Sequence, residues 1–399
     1  MPLKLRDIPM FPSYVEGQTD HDFMMAAWNQ GPFAKDKFGI VTAFSAAHMT
    51  ELADERFTRQ IETEGLRMSG VTSGPMYDFI SNALLFQNGQ RHRDMRGPLV
   101  RTFAHKVIAD LRPHVRARAE TMVRSLVGGG RTDFVNEFAG PLPAQVIAAV
   151  LGVPEEDAPR FTKHVYSAIR GLSLVSPEVR EESDADLYLL TKYVAGLLAD
   201  RDASPLDDFL TDYLAKVPGG NMDEVEIRTQ IVALVLAGSD TTRGGLTATL
   251  SYLLQHRDQW ELLVSDPDTW VPSAVNEGLR YDPVIGSLPR IVTEPHELGG
   301  VLFPEGALVA SSMLTALRDP AVYDAPNRFD ITRTDHPRLH PIFGSGPHRC
   351  LGEALARIEL EEGLRAWATV APHTVLDGAP IKMRGYGAVR QITPLAINL

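Results

Sequence analysis

A single cysteine, Cys350, occurs among the 399 residues of the sequence. One cysteine excludes an intramolecular disulfide, which favours a reducing compartment. It also excludes a zinc site built on several thiolates and an iron–sulfur cluster held by the chain's own cysteines. If this sulfur has a chemical role, it acts alone or with residues of another type.

Long hydrophobic runs and an excess of positive charge are missing as well. One of the longest apolar stretches, residues 231–238, is far shorter than the roughly 18 residues that a membrane-spanning helix needs. Residues 1–20 lack the basic and then apolar pattern of a signal peptide. The net charge of −12 argues against nucleic acid as a general partner. We therefore expect a soluble, cytoplasmic, monomeric protein that binds neither a membrane nor nucleic acid.

Helical periodicity dominates the sequence from about residue 46 to residue 280. Within it, residues 222–256 predict one long helix whose middle is almost without charge, which is typical of a buried helix. After Tyr281, short apolar segments are separated by Gly-Gly and Pro-Glu-Gly, which predicts strands and turns. No repeat or linker divides the chain. We expect a mainly α protein with a smaller β portion, folded as one compact domain over residues 1–399.

The cysteine lies in the stretch FGSGPHRCLGEAL, residues 343–355, between a glycine-rich loop and the start of an amphipathic helix. A sulfur there faces unpaired backbone N–H groups and the positive end of the helix dipole, which favours thiolate over thiol. A thiolate in this position suits attack on an electrophile, with His348 as the base, or binding of a soft metal such as haem iron. The residues alone do not decide between attack on an electrophile and metal binding.

The pattern Phe-x-x-Gly-x-x-x-Cys-x-Gly, formed by Phe343, Gly346, Cys350 and Gly352, resembles the haem-binding signature of cytochrome P450 enzymes. The resemblance implies the P450 fold, with a long central helix over the haem. It also implies that Cys350 is the axial thiolate ligand of a b-type haem, that Phe343 packs beside the sulfur, and that Gly344 and Gly352 contact the cofactor. A thiolate ligand favours O–O bond cleavage.

A second motif is EGLR, which places Glu277 and Arg280 on one face of a helix. Taken alone, such a pair is mostly a weak surface interaction. Its position before the cysteine loop resembles the Glu-x-x-Arg motif of the P450 family, in which the pair is buried and joined to a later arginine. Arg328 is the position that we match to that arginine.

A third motif, AGSDTT, occupies residues 237–242 inside the long apolar helix. Gly, Ser, Asp and Thr are poor helix formers, so the segment predicts either a helix break, capped by Ser239 or Asp240, or a functional irregularity. The resemblance implies the second. Asp240 and Thr241 would be the acid–alcohol pair that delivers protons to bound dioxygen, where the helix opens locally, and Ala237 would contact the haem.

Haem propionates need cationic or hydrogen-bonding partners. His92 and Arg96, four residues apart on a predicted helix, resemble one family pair of propionate contacts. Arg290 on the first strand after the Glu-x-x-Arg helix and His348 in the cysteine loop complete the expected set. Each residue alone is equally well explained as a surface charge.

The resemblance implies a monooxygenase that activates O2 and inserts one oxygen atom into a small hydrophobic substrate, terpenoid, aromatic or similar. By position, the pocket walls would come from residues 72–87, 167–176 and 284–288 and from the long helix before Ala237. The alternatives are a haem-thiolate protein with peroxide-driven or other non-monooxygenase activity and a haem-free thiol enzyme.

The electrons must come from another protein, since the sequence has no flavin or iron–sulfur segment. A ferredoxin with its reductase is the expected source. Eight Lys or Arg and only two acids lie between residues 91 and 118. This basic segment is either a solvated helix face or a docking patch for an acidic protein, with Arg93, Arg101 and Lys106 as candidate contacts.

Overall fold

The computed structural model of the protein describes residues 3–103, 105–172, 175–217 and 221–399, with side chains for all of these except residues 105–107 and 155. Most of the described residues are helical, which confirms the predicted fold class. The helices are α1 Asp20–Trp28, α2 Ala46–Leu52, α3 Glu64–Met68, α4 Pro75–Asn82, α5 Gly89–Thr102, α6 His105–Asp110, α7 Arg112–Leu126, α8 Pro141–Val150, α9 Ala158–Arg170, α10 Pro177–Ala203, α11 Phe209–Lys216, α12 Glu224–Gln255, α13 Arg257–Ser265, α14 Pro267–Tyr281, α15 Met313–Ala316 and α16 Glu353–Val370.

Short strands form four small sheets. The strands are β1 Leu3–Lys4, β2 Phe33–Lys35, β3 Val41–Ala43, β4 Thr58–Gln60, β5 Arg131–Asp133, β6 Ser287–Val292, β7 His296–Leu298, β8 Val301–Phe303, β9 Leu308–Ser312, β10 Val375–Leu376, β11 Met383–Arg384, β12 Gln391–Ile392 and β13 Ala396–Asn398. The largest sheet has the order β2-β3-β9-β6-β4, and the others have the orders β1-β8-β7, β10-β13-β5 and β11-β12. In the largest sheet, Arg290 on β6 lies opposite Gln60 and Val309, which fixes its place at the site described below.

The long helix α12 is the centre of the fold. It begins at a reciprocal cap, in which the Asp223 carboxylate accepts the Glu226 N–H at 2.8 Å and the Glu226 carboxylate accepts the Asp223 N–H at 2.9 Å. The largest hydrophobic cluster surrounds it and includes residues of α5, α7, α8, α10, α14 and α16. No helix among the described residues is both long and apolar enough to cross a membrane.

The helix runs without a break through the AGSDTT motif. The alternative of two capped helices is therefore wrong, and the local opening implied by the resemblance is not present. The Thr241 hydroxyl donates to the Ala237 carbonyl at 2.9 Å, so this side chain bonds the preceding turn without interrupting the helix. Tertiary packing along the whole of α12 outweighs the low helix propensity of these residues.

The Glu-x-x-Arg pair lies on α14 and is fully buried. The Arg280 Nε and Nη2 donate to the two Glu277 carboxylate oxygens at 2.7 and 2.8 Å. The remaining donors of Arg280 reach the backbone carbonyls of Leu317, Pro326 and Arg328 at 2.8–3.1 Å. The pair thus ties α14 to the loop that leads to Cys350.

The assignment of Arg328 as the third member of this network is wrong. The Arg328 side chain is 69% exposed and pairs with Asp330 at 3.4 Å. The buried arginine is Arg333, which is 5% exposed and whose Nε lies 3.4 Å from the Glu277 Oε2. The backbone of Arg328, rather than its charge, takes part in the network, because its carbonyl accepts from Arg280 at 3.0 Å.

Candidate active site

The cysteine loop is a tight turn held by its own backbone. The N–H of Cys350 donates to the Phe343 carbonyl at 2.7 Å, and the Arg349 Nη1 donates to the Gly344 carbonyl at 2.7 Å. Gly344 and Gly346 have φ values of 72° and 65°, a region that favours glycine. The sequence therefore folds the loop around the sulfur as the glycine pattern predicts.

Burial affects the pKa of the Cys350 thiol more strongly than the nearby hydrogen-bond donor and positive charges do. Burial raises its pKa, and the Gly352 N–H and the positive charges of Arg96 and Arg349 oppose the rise only in part. Burial therefore opposes the thiolate form that the sequence predicts for this loop, whereas the Gly352 N–H and coordination to a metal ion would favour it. No hydrogen bond joins Cys350 to a histidine among the described residues, so the structure gives no support to His348 as a base for a nucleophilic thiol.

Open space lies at both motifs that the resemblance places on either side of a haem. Ala237 is exposed in the middle of α12, although most of that helix is buried, and a methyl group built at Gly238 meets no atom within 4 Å. Cys350 is exposed too, and a methyl group built at Gly352 meets no atom within 4 Å. Cys350 keeps exposed surface although protein atoms surround its sulfur, which reconciles its exposure with the effect of burial on its pKa.

Four of the predicted side chains meet at one point beside this space. The rings of His92 and His348 lie 4.0 Å apart, centre to centre, and both feel the charges of Arg96 and Arg290. His92 is 1% exposed, and neither of its ring nitrogens has a hydrogen-bond partner among the described residues. Burial lowers the pKa of His92 to about 4 and that of His348 to about 3. Unsatisfied ring nitrogens beside the buried Arg290 and the partly buried Arg96 are a site for carboxylates, and so the cluster fits the propionates of a haem.

Arg96 also connects this cluster to the cysteine loop. Its Nη2 donates to the Arg349 carbonyl at 2.5 Å, next to Cys350 in the chain. Helix α5, which carries both His92 and Arg96, therefore packs against the loop that carries the sulfur. Phe343 packs at the other end of the loop, with its ring centre 5.0 Å from the Arg357 guanidinium.

Sequence reasoning missed Glu55, which belongs to the same cluster. Its Oε1 lies 3.4 Å from the His348 Nε2, and its charge acts on Arg290. One ligand atom each of Glu55, His92 and His348 fall within 4.8 Å of one another. Glu55 also lines an open groove of about 510 Å³ between residues 50–56 and 345–347, so it stands between solvent and the propionate partners. Nothing in the sequence near Glu55 signals this position.

Asp240 and Thr241 are adjacent on α12 but have different surroundings. The Asp240 carboxylate forms an ion pair with Arg243 on the same helix, and burial raises its pKa against the charge of Arg243. The neighbouring Thr242 hydroxyl faces Glu359 of α16, a buried carboxyl group whose pKa burial raises well above its ordinary value. The Thr241 hydroxyl thus bonds the carbonyl of the exposed Ala237, whereas the Asp240 carboxylate is paired with Arg243, and the role of the two residues as an acid–alcohol pair stays a prediction.

Comparison with known proteins shows the family of this chain. The sequence profile of the cytochrome P450 family matches residues 189–366. The plant-inducible cytochrome P450-pinF1 of Rhizobium radiobacter is 38% identical over 379 residues, which cover 94% of this chain and 89% of the relative. The chain belongs to the cytochrome P450 family.

Other P450 enzymes resemble it over most of their length. Luteothin monooxygenase of Streptomyces thioluteus is 34% identical over 305 residues, covering 76% of this chain and 74% of the relative. The crystal structure of CalO2 superposes with a TM-score of 0.87 at 27% identity and covers 95% of both chains. The P450 fold and a P450 monooxygenase activity are thereby established, and with them a haem-thiolate cofactor.

Proposed function

We propose that this P450 holds a b-type haem on Cys350 and uses it, with electrons from a separate ferredoxin, to oxygenate a small hydrophobic molecule. The observation that carries the proposal is the buried cluster of His92, Arg96, Arg290 and His348 beside the cysteine loop, in which His92 has no other hydrogen-bond partner among the described residues. Four hydrogen-bonding side chains in one cluster are suited to bind the two propionate carboxylates of a single haem.

In this mechanism the bound haem supplies dioxygen activation and the oxidising chemistry, and the chain supplies position and protons. Cys350, beside the Gly352 N–H, would bind the haem iron through its sulfur, and His92, Arg96, Arg290 and His348 would hold the propionates. Ala237, Gly344 and Gly352 would let the backbone come close to the macrocycle. Asp240 takes protons from solvent and passes them toward Thr241, whose hydroxyl keeps a lone pair free after donating to Ala237.

A hydrophobic substrate is favoured by the residues near Ala237. Gln230 lies on α12 two helical turns before Ala237, and its side chain is buried. It hydrogen-bonds the Asn82 carbonyl and the Leu84 N–H, both at 2.8 Å, and so holds the segment before α5 against α12. That segment and the residues just before β6 present apolar side chains, with Leu85 49% exposed and Ile285 partly buried. Of the wall predicted at residues 167–176, residues 173 and 174 lie outside the described part.

The relatives' names do not narrow the substrate further. They include a steroid C26-monooxygenase of Rhodococcus jostii and a nocardicin C N-oxygenase of Nocardia uniformis. Cytoplasmic location and a monomeric state stay predictions from the sequence.

An optical titration tests the cofactor and the substrate class together. The purified ferric protein should show a haem Soret band that moves to shorter wavelength with terpenoids or alkylphenols but not with charged amino acids. The Cys350→Ser variant should lose the thiolate-type spectrum. A protein that stays colourless after haem supplementation would overturn the proposal, and a response to charged molecules alone would overturn the substrate class.

The basic segment favours docking of an acidic redox partner, but fewer of its residues are available for docking than the sequence predicts. Arg91 pairs with Glu226, and Arg112 and Arg116 both bond Glu362. These arginines stabilise the fold and are neutralised. The exposed Arg93 and Arg101 have no carboxylate partner among the described residues: they donate to Gln90 and to the Lys216 carbonyl. The side chain of Lys106 lies outside the described residues.

Charge reversal tests this docking surface. An Arg93→Glu/Arg101→Glu variant should be reduced more slowly by ferredoxin and should show a flatter dependence of the reduction rate on salt, since fewer charges steer the encounter. Arg384→Glu, an exposed arginine in the β11–β12 hairpin, is the matched control and should change neither quantity. Unaltered reduction kinetics in the double variant would exclude this surface.

A further inference from the structure

Arg390 is a buried arginine in the hairpin that joins β11 to β12. Its side chain is 3% exposed, although residues 384–389 before it are all exposed. The Arg390 Nε donates to the Gly385 carbonyl at 2.8 Å, and its Nη2 donates to the Met383 carbonyl at 3.1 Å. The side chain therefore closes the hairpin across its own loop.

The same guanidinium joins the hairpin to two other parts of the fold. Its Nη1 donates to the Pro283 carbonyl at 3.0 Å and pairs with the Asp282 carboxylate, just after α14. Its Nη2 lies 3.7 Å from the Oδ2 of Asp20 on α1. That oxygen also accepts the Gly385 N–H at 2.7 Å. One buried arginine and two carboxylates thus hold the hairpin between α1 and the segment after α14.

The hairpin lies directly against residues 284–288, which the sequence predicts as a wall of the substrate pocket. The N–H groups of Arg390 and Gly286 each donate across this contact at 2.8 Å. Between these two hydrogen bonds lies the antiparallel pair Ile285 and Val389. In a non-hydrogen-bonded pair of this kind, the two side chains lie close together on one face.

This wall meets α12 on the face where Ala237 is exposed. Gly244 follows Ala237 by seven residues, so it lies within about 20° of Ala237 around the helix and about 10 Å further along it. A methyl group built at Gly244 would lie 2.5 Å from the Val284 Cγ2 and 3.9 Å from the Ile392 Cγ2. The side chains of Val284 and Ile392 therefore cover this face of α12 at Gly244 and limit the open space that begins at Ala237.

We propose that Arg390 is a positioning residue that sets the length of the molecule that the site accepts. It acts by fixing Val389 beside Ile285. This inference rests on the proposed haem site and its hydrophobic pocket. Val389 is 39% exposed and Ile285 is partly buried, so the apolar pair has surface left for a ligand. Because breaking a buried ion pair is costly, the hairpin does not move aside for a longer molecule.

Binding of imidazole and 1-alkylimidazoles to the ferric haem protein tests this role without turnover. The ring nitrogen of these probes binds the iron and moves the Soret band to longer wavelength, and the alkyl chain extends into the pocket. In the unaltered protein, the affinity should rise with chain length and then fall once the chain reaches Ile285 and Val389. Arg390→Gln should move this fall to longer chains and weaken the best ligand by about 4–15-fold, the loss of one or two buried methylene contacts.

Three controls accompany this titration. Imidazole itself should bind the unaltered protein and Arg390→Gln equally, because it does not reach the hairpin. Arg390→Lys keeps the positive charge beside Asp282 and should restore part of the original length preference. Arg201→Gln removes an arginine that is 12% exposed and pairs with Asp208 before α11, and it should leave the length preference unchanged.

A Val389→Ala background separates positioning from a general loss of stability. In this background, Arg390→Gln should have little further effect on the length preference, because the side chain through which it acts is already shortened. If Arg390→Gln does not fold, Asp20→Ala replaces it as the test. Asp20→Ala removes the acceptor of the Gly385 N–H and should shift the length preference less but in the same direction.

The outcomes separate this inference from the proposed function. The positioning role is overturned if the unaltered protein shows no length limit, if Arg390→Gln leaves the limit unchanged, or if its effect is fully additive with that of Val389→Ala. An equal loss of affinity for imidazole itself also overturns it, since the haem site as a whole is then disturbed. If no hydrophobic molecule is oxygenated, the proposed function fails, whereas the alkylimidazole affinities still decide the role of Arg390.

Discussion

At the scale of single residues, Glu277 shows how one buried charge organises the approach to the cysteine loop. Its carboxylate accepts two hydrogen bonds from Arg280 and one from the Asp330 N–H at 2.8 Å, and it lies 3.4 Å from the Arg333 Nε. A buried carboxylate is tolerated only when it is satisfied in this way. The stability of the loop therefore depends on partners that keep Glu277 paired.

Replacing Arg333 should be far more damaging than replacing Arg328. Arg333→Leu removes a buried cation and is expected to lower the free energy of unfolding by about 3–5 kcal/mol. Arg328→Leu removes an exposed charge and should lower it by about 0–1 kcal/mol. Urea unfolding of the two variants measures the difference. If both variants lose the same free energy of unfolding, the Arg328 side chain does contribute to the network around Glu277.

The incorrect assignment of Arg328 shows which contacts the sequence pattern can predict and which it cannot. The Glu-x-x-Arg pair was predictable, because helical spacing puts Glu277 and Arg280 on one face. The third partner was not, because Arg328 and Arg333 lie in one irregular loop, and only the path of that loop decides which side chain turns inward. Glu55 was missed for the same reason, since no periodicity links it to His92. Arg243 carried a signal, an arginine three residues after Asp240 in an apolar helix.

Glu55 should weaken haem retention, because its carboxylate competes with the propionates for the same cations. Glu55→Gln keeps the shape of the side chain and removes the charge, so haem should leave the protein several-fold more slowly. The transfer of haem to an excess of a haem-scavenging apoprotein measures the rate. Asp54→Asn is the matched control, since Asp54 pairs with the exposed Arg56 and has no contact with His348 among the described residues. Faster loss from Glu55→Gln would contradict this role.

At the scale of elements, the close approach of α12 and α14 depends on a glycine. A methyl group built at Gly278 on α14 would lie 2.1 Å from the Thr249 hydroxyl and 2.7 Å from its Cβ on α12. The two helices carry the AGSDTT motif and the Glu-x-x-Arg pair, so the distance between the helices sets the distance between the two motifs. The long apolar pattern predicted α12 itself, but the contact between the helices needs the three-dimensional packing.

Gly278→Ala should destabilise the protein, because either helix must shift to admit the methyl group. A loss of about 1–3 kcal/mol in the free energy of unfolding is expected. Gly196→Ala is the matched control: Gly196 is an exposed residue of α10 whose added methyl group meets nothing within 4 Å, and alanine there should stabilise by up to about 1 kcal/mol. Thermal unfolding of both variants tests the contrast. If Gly278→Ala leaves the stability unchanged, α12 and α14 can move apart without a cost in free energy.

At the scale of the whole molecule, buried neutral histidines link stability to pH. Away from the propionate cluster, burial lowers the pKa of His21 and His336 to about 4 and that of His340 to about 3. The unfolded chain binds protons at these residues near pH 6.5, whereas the folded chain does not. Their contribution to stability is therefore complete above pH 6.5 and is lost as the pH falls toward 4. The raised pKa values of Asp240 and Glu359 act in the opposite direction.

The three histidines should each lower the free energy of unfolding by about 1–2 kcal/mol between pH 7 and pH 5, and the two acids should offset part of this loss. Urea unfolding at pH 7, 6 and 5 measures the slope. His340→Gln should flatten it, whereas His114→Gln, at an exposed position of α7, should not. A stability that is constant or higher at pH 5 would show that the acids dominate.

The exposure of Cys350, the single cysteine of the chain, has a practical consequence. With a haem bound on Cys350, as proposed, the one thiol of the chain would be coordinated and shielded from alkylating reagents, so the intact enzyme would behave as a cysteine-free protein. Any cysteine introduced at an exposed position would then be the single site for a fluorophore or spin label. Conversely, the fraction of unaltered molecules that a thiol reagent modifies reports how much of a preparation has lost its cofactor.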